Sequence, residues 1–162
     1  MTGLAVVHLV LVAAYAGFQW TVRVLVYPQF AQVPTGFAGY ERSHQRRITR
    51  VVGPLFVGQG VTTLWLLVLA ARGDAPALPV LAGAVCLAVV LVVTALGAVP
   101  LHRVLDAGWD AAAHHRLLRV DSVRVAAASL GVLSAREGRD TLVMTFDPSL
   151  RLKQTLGVGE EA

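Results

Sequence analysis

Two stretches of the chain carry no charged residue over a length that can cross a lipid bilayer. Residues 51–71 form one run of 21 positions, and residues 80–99 form a second run of 20. Because an α-helix rises about 1.5 Å per residue, roughly 20 residues cover the hydrocarbon core. A third run, residues 3–22, is interrupted only by His8 and Gln19. The sequence therefore predicts three transmembrane helices.

Residues 117–135 form a fourth apolar stretch, but its first half contains Arg119, Asp121 and Arg124. Charges inside a membrane span are costly unless they are paired or reach the interface. These three charges fall in the first two turns, where long arginine side chains can extend to the lipid headgroups. We predict a fourth transmembrane helix, and the alternative is an amphipathic helix that lies on the membrane surface.

The composition agrees with a membrane protein, since 56% of the 162 residues are hydrophobic and only 15% are charged. The predicted fold class is therefore an all-α integral membrane protein, built as a four-helix transmembrane bundle. Its domain would cover residues 1–135, with spans at about 3–27, 49–71, 79–102 and 117–135. Residues 136–162 form a C-terminal tail to which the sequence assigns no structure or role.

Three local features refine this picture. The AYA segment at 14–16 resembles a signal-peptide cleavage site, but no basic segment precedes it and the apolar run continues past it. We therefore expect the run 3–22 to be a membrane span. Thr35 is a plausible N-cap for a helix that begins before the second span, and Pro54 is expected to kink or restart that helix. The single cysteine, Cys86, excludes an internal disulfide.

The arginine distribution predicts the orientation. With four spans, loops 28–48 and 101–116 share one side of the membrane, side B, and the N-terminus lies on side A. The side B arginines are Arg42, Arg46, Arg47, Arg50, Arg103, Arg116 and Arg119. The basic residues on side A are Arg72, Arg136 and Arg139, with Arg151 and Lys153 farther along the tail. This asymmetry places both loops in the cytoplasm of a bacterial-type plasma membrane. Anionic lipid accounts for the net charge of +4, so no nucleic-acid partner is expected.

The same topology gathers the candidate site residues on side B. Four of the five histidines fall there: His44, His102, His114 and His115. Glu41 and His44 are spaced i, i+3, as in carboxylate-bridged metal sites of helical bundles. Together with His102 they could bind iron, zinc or copper. Such bundle sites use the motif twice, however, and this chain has it once. The alternative is a solvated interfacial layer that binds lipid headgroups.

Arg23 has two interpretations. It follows the first apolar run, so its guanidinium can extend to the headgroups. Alternatively, Arg23 and Arg124 face inward, where they pair with Asp121 or hold an anionic substrate group. Asp121 would be too costly to bury without such a partner.

Several short motifs, in order along residues 5–130, resemble those of the anthrone-oxygenase-like family of small four-helix membrane proteins. They are VYPQF in the first helix, FAGYERSHQRRI and VVGP in the second, VPLH in the third and RLLRVDSVRVAA in the fourth. The assigned members of this family oxidise anthrones to anthraquinones with molecular oxygen. The resemblance implies shared polar positions at Tyr27, Tyr40, His44, Arg47, His102 and Arg124. Relatives often have asparagine at the position of His102 and an Asn-Trp pair at Asp121 and Ser122, so the polarity of the site differs here.

Together these observations suggest a membrane-embedded oxygenase-like enzyme that acts on a lipophilic anthrone, phenol or quinone-type substrate. His44 or His102 would be the general base, and Arg124 or Arg47 would stabilise negative charge. The predicted catalytic residues are His44, His102, Arg124, Arg47 and Tyr40. The predicted substrate-binding residues are Arg23, Tyr27 and Asp121.

Such a reaction can run without a cofactor, and a metal held by Glu41, His44 and His102 is the variant. The expected partners are membrane lipid and the small-molecule substrate, and homo-oligomerisation stays open. The alternative function is a non-enzymatic membrane subunit or small transporter whose charged layer binds lipid or a protein partner.

Overall fold

The structure is a computed structural model that describes residues 2–33 and 35–136. These ranges are helical and contain no strand. The elements are α1 (Thr2–Thr21), a first π-bulge (Val22–Val26), α2 (Tyr27–Phe30), α3 (Phe37–Ala71), α4 (Ala77–Val93), a second π-bulge (Thr94–Ala98), α5 (Val99–Ala107) and α6 (Ala111–Arg136). Apart from Arg136, the expected C-terminal tail lies outside the described residues.

Each π-bulge continues directly into the helices beside it, so the chain forms four rods. The first rod is α1 to α2, the second is α3, the third is α4 to α5, and the fourth is α6. Helix α1 packs against α3 and α6, and α4 packs against the same two helices. This closed arrangement of neighbours is a four-helix bundle, which confirms the predicted all-α fold class.

Three of the rods are long and apolar enough to cross a membrane: Gly3–Phe30, Phe37–Ala71 and Ala77–Ala107. Helix α6 has 26 residues and completes the bundle, but it is less apolar than the other three. Its predicted crossing of the bilayer therefore stays a prediction. Large apolar side chains point away from the bundle, for example Leu78 and Leu96 at 77% exposure. An outer surface of this kind suits lipid rather than water.

The beginning of α3 differs from the expectation for Thr35. The residue that precedes the helix is Gly36, whose φ of 68° is left-handed and favours glycine. No side chain caps this end, so Thr35 is not the N-cap. Helix α3 continues through Pro54, so the helix does not restart there, and a kink at this residue stays a prediction. Gly108 ends α5.

Two apolar layers form the core. One contains Tyr27, Phe30, Leu105 and Leu117, and the other is built around Tyr15, Val90, Ala127 and Ala128. On both α1 and α6, polar buried residues fall between the segments that supply these layers: Gln19 on α1, and Asp121 and Arg124 on α6. The bundle therefore holds a polar layer between two apolar ones.

Gly97 marks the closest approach of the second π-bulge to α6. A Cβ atom added at this position would lie 2.9 Å from Val120 Cγ1, which is closer than real side chains pack. The contact requires a residue without a side chain, because Val120 is stiff at its β-branch. Gly97 thus sets how near the third rod comes to α6.

We expect Gly97→Ala to lower the free energy of unfolding by about 1–3 kcal/mol, the usual range for overpacking. Thermal unfolding of the detergent-purified protein, followed by circular dichroism, would measure the change. Gly60→Ala is the matched control, since a Cβ there meets no atom within 4 Å. An equal melting temperature for Gly97→Ala and wild type would contradict the close packing at this point.

Candidate functional site

A buried carboxylate and a histidine form the first polar network of the site. Glu41 is fully buried, and its Oε1 accepts a hydrogen bond from His102 Nδ1 at 2.5 Å. Gln45 Nε2 donates to the same oxygen at 3.1 Å. On the other side of the imidazole, His102 Nε2 lies 3.1 Å from the Tyr27 hydroxyl. Glu41, His102 and Tyr27 thus form a hydrogen-bonded chain, the Glu41 chain, which links α3, α5 and α2.

The order of groups in the Glu41 chain determines the proton positions on His102. An ionised carboxylate can only accept, so Nδ1 carries the proton that it donates to Glu41. In the neutral imidazole, Nε2 is then the acceptor, and the Tyr27 hydroxyl donates to it. A proton transferred to Nε2 would leave the Nδ1–H donating to the Glu41 carboxylate. This arrangement, acid, oriented histidine and hydroxyl, is the logic of a general base.

A second network joins α1 to α6. Asp121 is fully buried, and its Oδ1 accepts hydrogen bonds from Gln19 Nε2 and, at 3.2 Å, from Arg124 Nη1. Arg124 Nη2 donates to Gln19 Oε1 at 3.3 Å, which closes the ring. We call this set the Asp121 triangle. The aspartate and the arginine neutralise each other, and the amide of Gln19 bonds to both of them.

The two networks meet at one cavity of about 440 Å³. From the Glu41 chain, Tyr27 and His102 line this central cavity, and from the Asp121 triangle, Gln19 and Arg124 line it. The rest of the wall is mainly apolar or hydroxylic: Phe18, Val22, Ile48, Thr49, Val52, Gly53, Phe56, Thr94, Ala98 and Val99, with Gln45 and Arg103. Mostly apolar pockets of this size with a few polar groups are typical of small-molecule sites.

Both π-bulges border the central cavity. Val22 comes from the first π-bulge, and Thr94 and Ala98 come from the second. A π-bulge inserts an extra residue into a helical turn, and such bulges are frequent at functional sites. In the first rod the π-bulge lies between α1 and the segment that carries Tyr27, and in the third rod it lies between α4 and the segment that carries His102. This is a structural reason to regard the cavity as the functional site.

Of the residues predicted to act in catalysis, the structure brings His102 and Arg124 to the central cavity, and Tyr27 with them. Tyr40, His44 and Arg47 instead line a separate groove between the first rod and α3. His44 still lies near the Glu41 chain, because its ring centroid is 6.1 Å from those of Tyr27 and His102.

The two arginines that were considered as partners of Asp121 take different positions. Arg124 pairs with it inside the bundle. Arg23 Nε donates to Ser122 Oγ at 3.2 Å, on a contact that is open to the surroundings. Asp121 itself lies under the cavity wall as the anchor of Arg124 rather than as a lining residue.

The candidate metal ligands are held in a different arrangement. Glu41 and His102 are bonded to each other, and within the described residues no group of three or more His, Cys, Asp and Glu side chains has metal-site geometry. Metal binding by Glu41, His44 and His102 would require the bond between Glu41 and His102 to open.

Three site residues did not stand out in the sequence. Gln19 is a lone amide in the apolar run 3–22, where it was noted only as an interruption of that run. Gln45 follows Glu41 by four residues, a spacing that places both on one helix face. His114, expected as one member of the side B layer, hydrogen-bonds through Nε2 to the Tyr27 carbonyl oxygen at 2.8 Å. It thereby holds the backbone that carries the Tyr27 phenol.

Comparisons with known proteins add no family. The chain matches no protein-family model, no curated protein and no solved structure. The resemblance to the anthrone-oxygenase-like family therefore rests on the sequence motifs quoted above.

We expect Arg124→Met to destabilise the bundle by about 3 kcal/mol, because it leaves Asp121 buried without its cation. The double variant Asp121→Leu with Arg124→Met removes both charges and should recover part of this loss. Helicity measured by circular dichroism, during titration of purified protein with a denaturing detergent, gives both values. The single variant Asp121→Leu completes the set, and a double variant that loses as much stability as the two single variants added together would show that the pair is not coupled.

Proposed function

We propose that this chain is a membrane-embedded, oxygenase-like enzyme that acts on a lipophilic aromatic substrate of the anthrone, phenol or quinone type. The observation that carries the proposal is one cavity that holds an oriented histidine and a buried arginine among apolar walls. The histidine can take a proton, and the arginine can hold the negative charge that remains. The motifs shared with the anthrone-oxygenase-like family support the same class of reaction.

The substrate's shape follows from the lining of the central cavity. Phe18 and Phe56 present ring surfaces, and aliphatic side chains complete the wall. A flat, apolar ring system fits these surfaces, while a single oxygen substituent can meet the polar groups. Because the outer faces of the rods are apolar, a substrate of this kind can reach the protein from the lipid phase.

The first chemical step is removal of a proton from the substrate. His102 Nε2 is the acceptor, with the Tyr27 hydroxyl bonded to it as the group that passes the proton on. The Glu41 carboxylate keeps His102 in the tautomer that accepts at Nε2 and stabilises the imidazolium. The proton leaves a C–H or O–H bond of the substrate and resides on His102, and the electron pair stays on the substrate as an enolate or phenolate.

The enolate oxygen is placed toward Arg124. The two Nη atoms of Arg124 are engaged by Asp121 and Gln19, while its Nε is buried and bonds to no group among the described residues. The Asp121 triangle thus fixes the guanidinium and uses two of its five N–H groups, so N–H donors are left for a substrate oxygen. A hydrogen bond from a preorganised cation is the usual means of stabilising a developing oxyanion in a site that excludes water.

Molecular oxygen is the oxidant. For an anthrone, the carbanion carbon attacks oxygen, and the peroxide takes the proton back from His102 to give a hydroperoxide. The hydroperoxide then loses water to form the second ketone. The balance is anthrone plus oxygen to anthraquinone plus water, so the pair His102 and Tyr27 returns to its starting state. In the variant with a metal, the ion would activate oxygen.

The test is oxygen uptake and quinone absorbance with anthrone as substrate and purified protein in detergent. We expect His102→Ala to lose turnover by at least 100-fold, the lower range for general base catalysis. Glu41→Gln should lower it by a smaller factor, since it removes the charge but leaves a hydrogen-bond acceptor.

His115→Ala is the matched control, because this histidine is exposed and lies outside the central cavity. Helicity of each variant shows that it is folded. If wild type consumes no oxygen with anthrones or related phenols, the enzymatic proposal fails and the non-enzymatic alternative takes its place. If His102→Ala and His115→Ala turn over equally, His102 is not the base.

A further inference from the structure

The groove between the first rod and α3 is a second candidate binding site, independent of the proposed reaction. It encloses about 420 Å³ and runs along both helices, and we call it the α1–α3 groove. Four of its five polar side chains come from one segment of α3: Tyr40, Ser43, His44 and Arg47. The fifth is Thr21 of α1, whose hydroxyl donates to the Gly17 carbonyl oxygen of its own helix. The four α3 residues belong to the segment YERSHQRR at 40–47, which we call the charged motif and which precedes the apolar run 51–71. None of these four lines the central cavity.

The polarity of the α1–α3 groove changes along its length. The four polar side chains of α3 come from its first three turns, which begin near side B. Ile48 and Val51 follow deeper along the same helix, and the first rod contributes mainly apolar side chains such as Phe18 and Val26. From Tyr40 to Val51 the helix rises roughly 16 Å. The groove is thus polar at one end and apolar at the other, as an amphiphile is.

The charge at the polar end is positive and uncompensated. No acidic side chain lines the groove, and Arg47 forms no ion pair within residues 2–33 and 35–136. Glu41, two residues before Ser43, is turned inward and bonded to His102. The groove therefore presents hydrogen-bond donors without acidic acceptors. A ligand that matches these donors brings oxygen acceptors and a negative charge.

The α1–α3 groove is separate from the central cavity but shares a wall with it. Phe18, Val22 and Ile48 line both spaces. These three apolar side chains separate the positive end of the groove from the polar networks inside the bundle. A ligand can therefore occupy the groove without contacting His102 or Arg124, which makes the binding testable apart from any turnover.

We propose that the α1–α3 groove binds a single-chain amphiphile with an oxyanion headgroup, either a fatty-acid carboxylate or a lipid phosphate. Its headgroup lies at Arg47, Ser43 and His44, and its acyl chain lies along Ile48, Val51 and the apolar face of the first rod. A volume near 420 Å³ suits one acyl chain better than two. This assignment gives the arginine and histidine of the charged motif a common role.

The experiment is native mass spectrometry of full-length protein released from a non-ionic detergent. The probes are palmitate, 1-palmitoyl lysophosphatidate, lysophosphatidylcholine, hexadecanol and inorganic phosphate. We expect a single bound molecule of palmitate or of lysophosphatidate, and which one is retained identifies the headgroup. Hexadecanol and lysophosphatidylcholine should be retained much less. Equal retention of hexadecanol would overturn the role of the charge, and equal retention of inorganic phosphate would overturn the role of the chain.

Two pairs of variants test the residues. Arg47→Gln should weaken binding about tenfold through loss of a charged hydrogen bond. Arg50→Gln, which alters an exposed arginine outside the groove, should leave binding unchanged. Val51→Trp fills the apolar end and should abolish binding, whereas Val57→Trp changes a lipid-facing position of the same helix. Equal losses within either pair would show diffuse surface binding and contradict the assignment.

Discussion

The structure depends on the pairing of charge inside an apolar bundle. Glu41 and Asp121 are both fully buried, in a molecule whose outer surface is built for lipid. An isolated carboxylate in such a place is too costly to persist, so each must have a donor supplied by another rod. Glu41 obtains His102 from the third rod, and Asp121 obtains Gln19 from the first. The first bond joins the second rod to the third, and the second bond joins the first rod to α6. The hydrogen bond between Tyr27 and His102 connects these two pairs of rods.

In the proposed reaction the same bonds also prepare the interior for chemistry. His102 donates to Glu41 through Nδ1, which leaves its Nε2 on the side of Tyr27. Arg124 is held by Asp121 and Gln19, which fix the plane of its guanidinium. Their placement at one cavity is a result of helix geometry, because both π-bulges fall beside it and offset the polar ends of their rods. Stability and the proposed chemistry thus use the same side chains. Of the three positions where the sequence departs from the resembling family, His102 and Asp121 lie in these networks.

Much of the architecture followed from periodicity and length. The long uncharged runs correspond to three of the four rods. The helix that was predicted to begin before the run 51–71 is the observed α3. The histidine layer also followed, since antiparallel rods bring His44 and His102 to one end. The pairing of Asp121 with an arginine was an alternative in the sequence analysis, and Arg124 is the partner. The division of the charged motif was not predictable. Glu41 and His44 are three residues apart, which leaves roughly 60° between them around the helix, enough for the two side chains to serve different spaces.

The sequence by itself determined that the chain is apolar and helical, and which end of the bundle carries its histidines and arginines. Those properties are local, because they depend on the length of apolar runs, on the spacing of residues and on composition along the polypeptide chain. Tertiary structure alone decided that Gln19 completes the Asp121 triangle, that His102 faces Glu41 and that Tyr40, His44 and Arg47 line a different groove. Such choices depend on the rotation and offset of each rod against its neighbours, which close contacts such as Gly97 with Val120 and the two π-bulges set. A difference of one residue in these offsets would turn a buried polar side chain toward lipid.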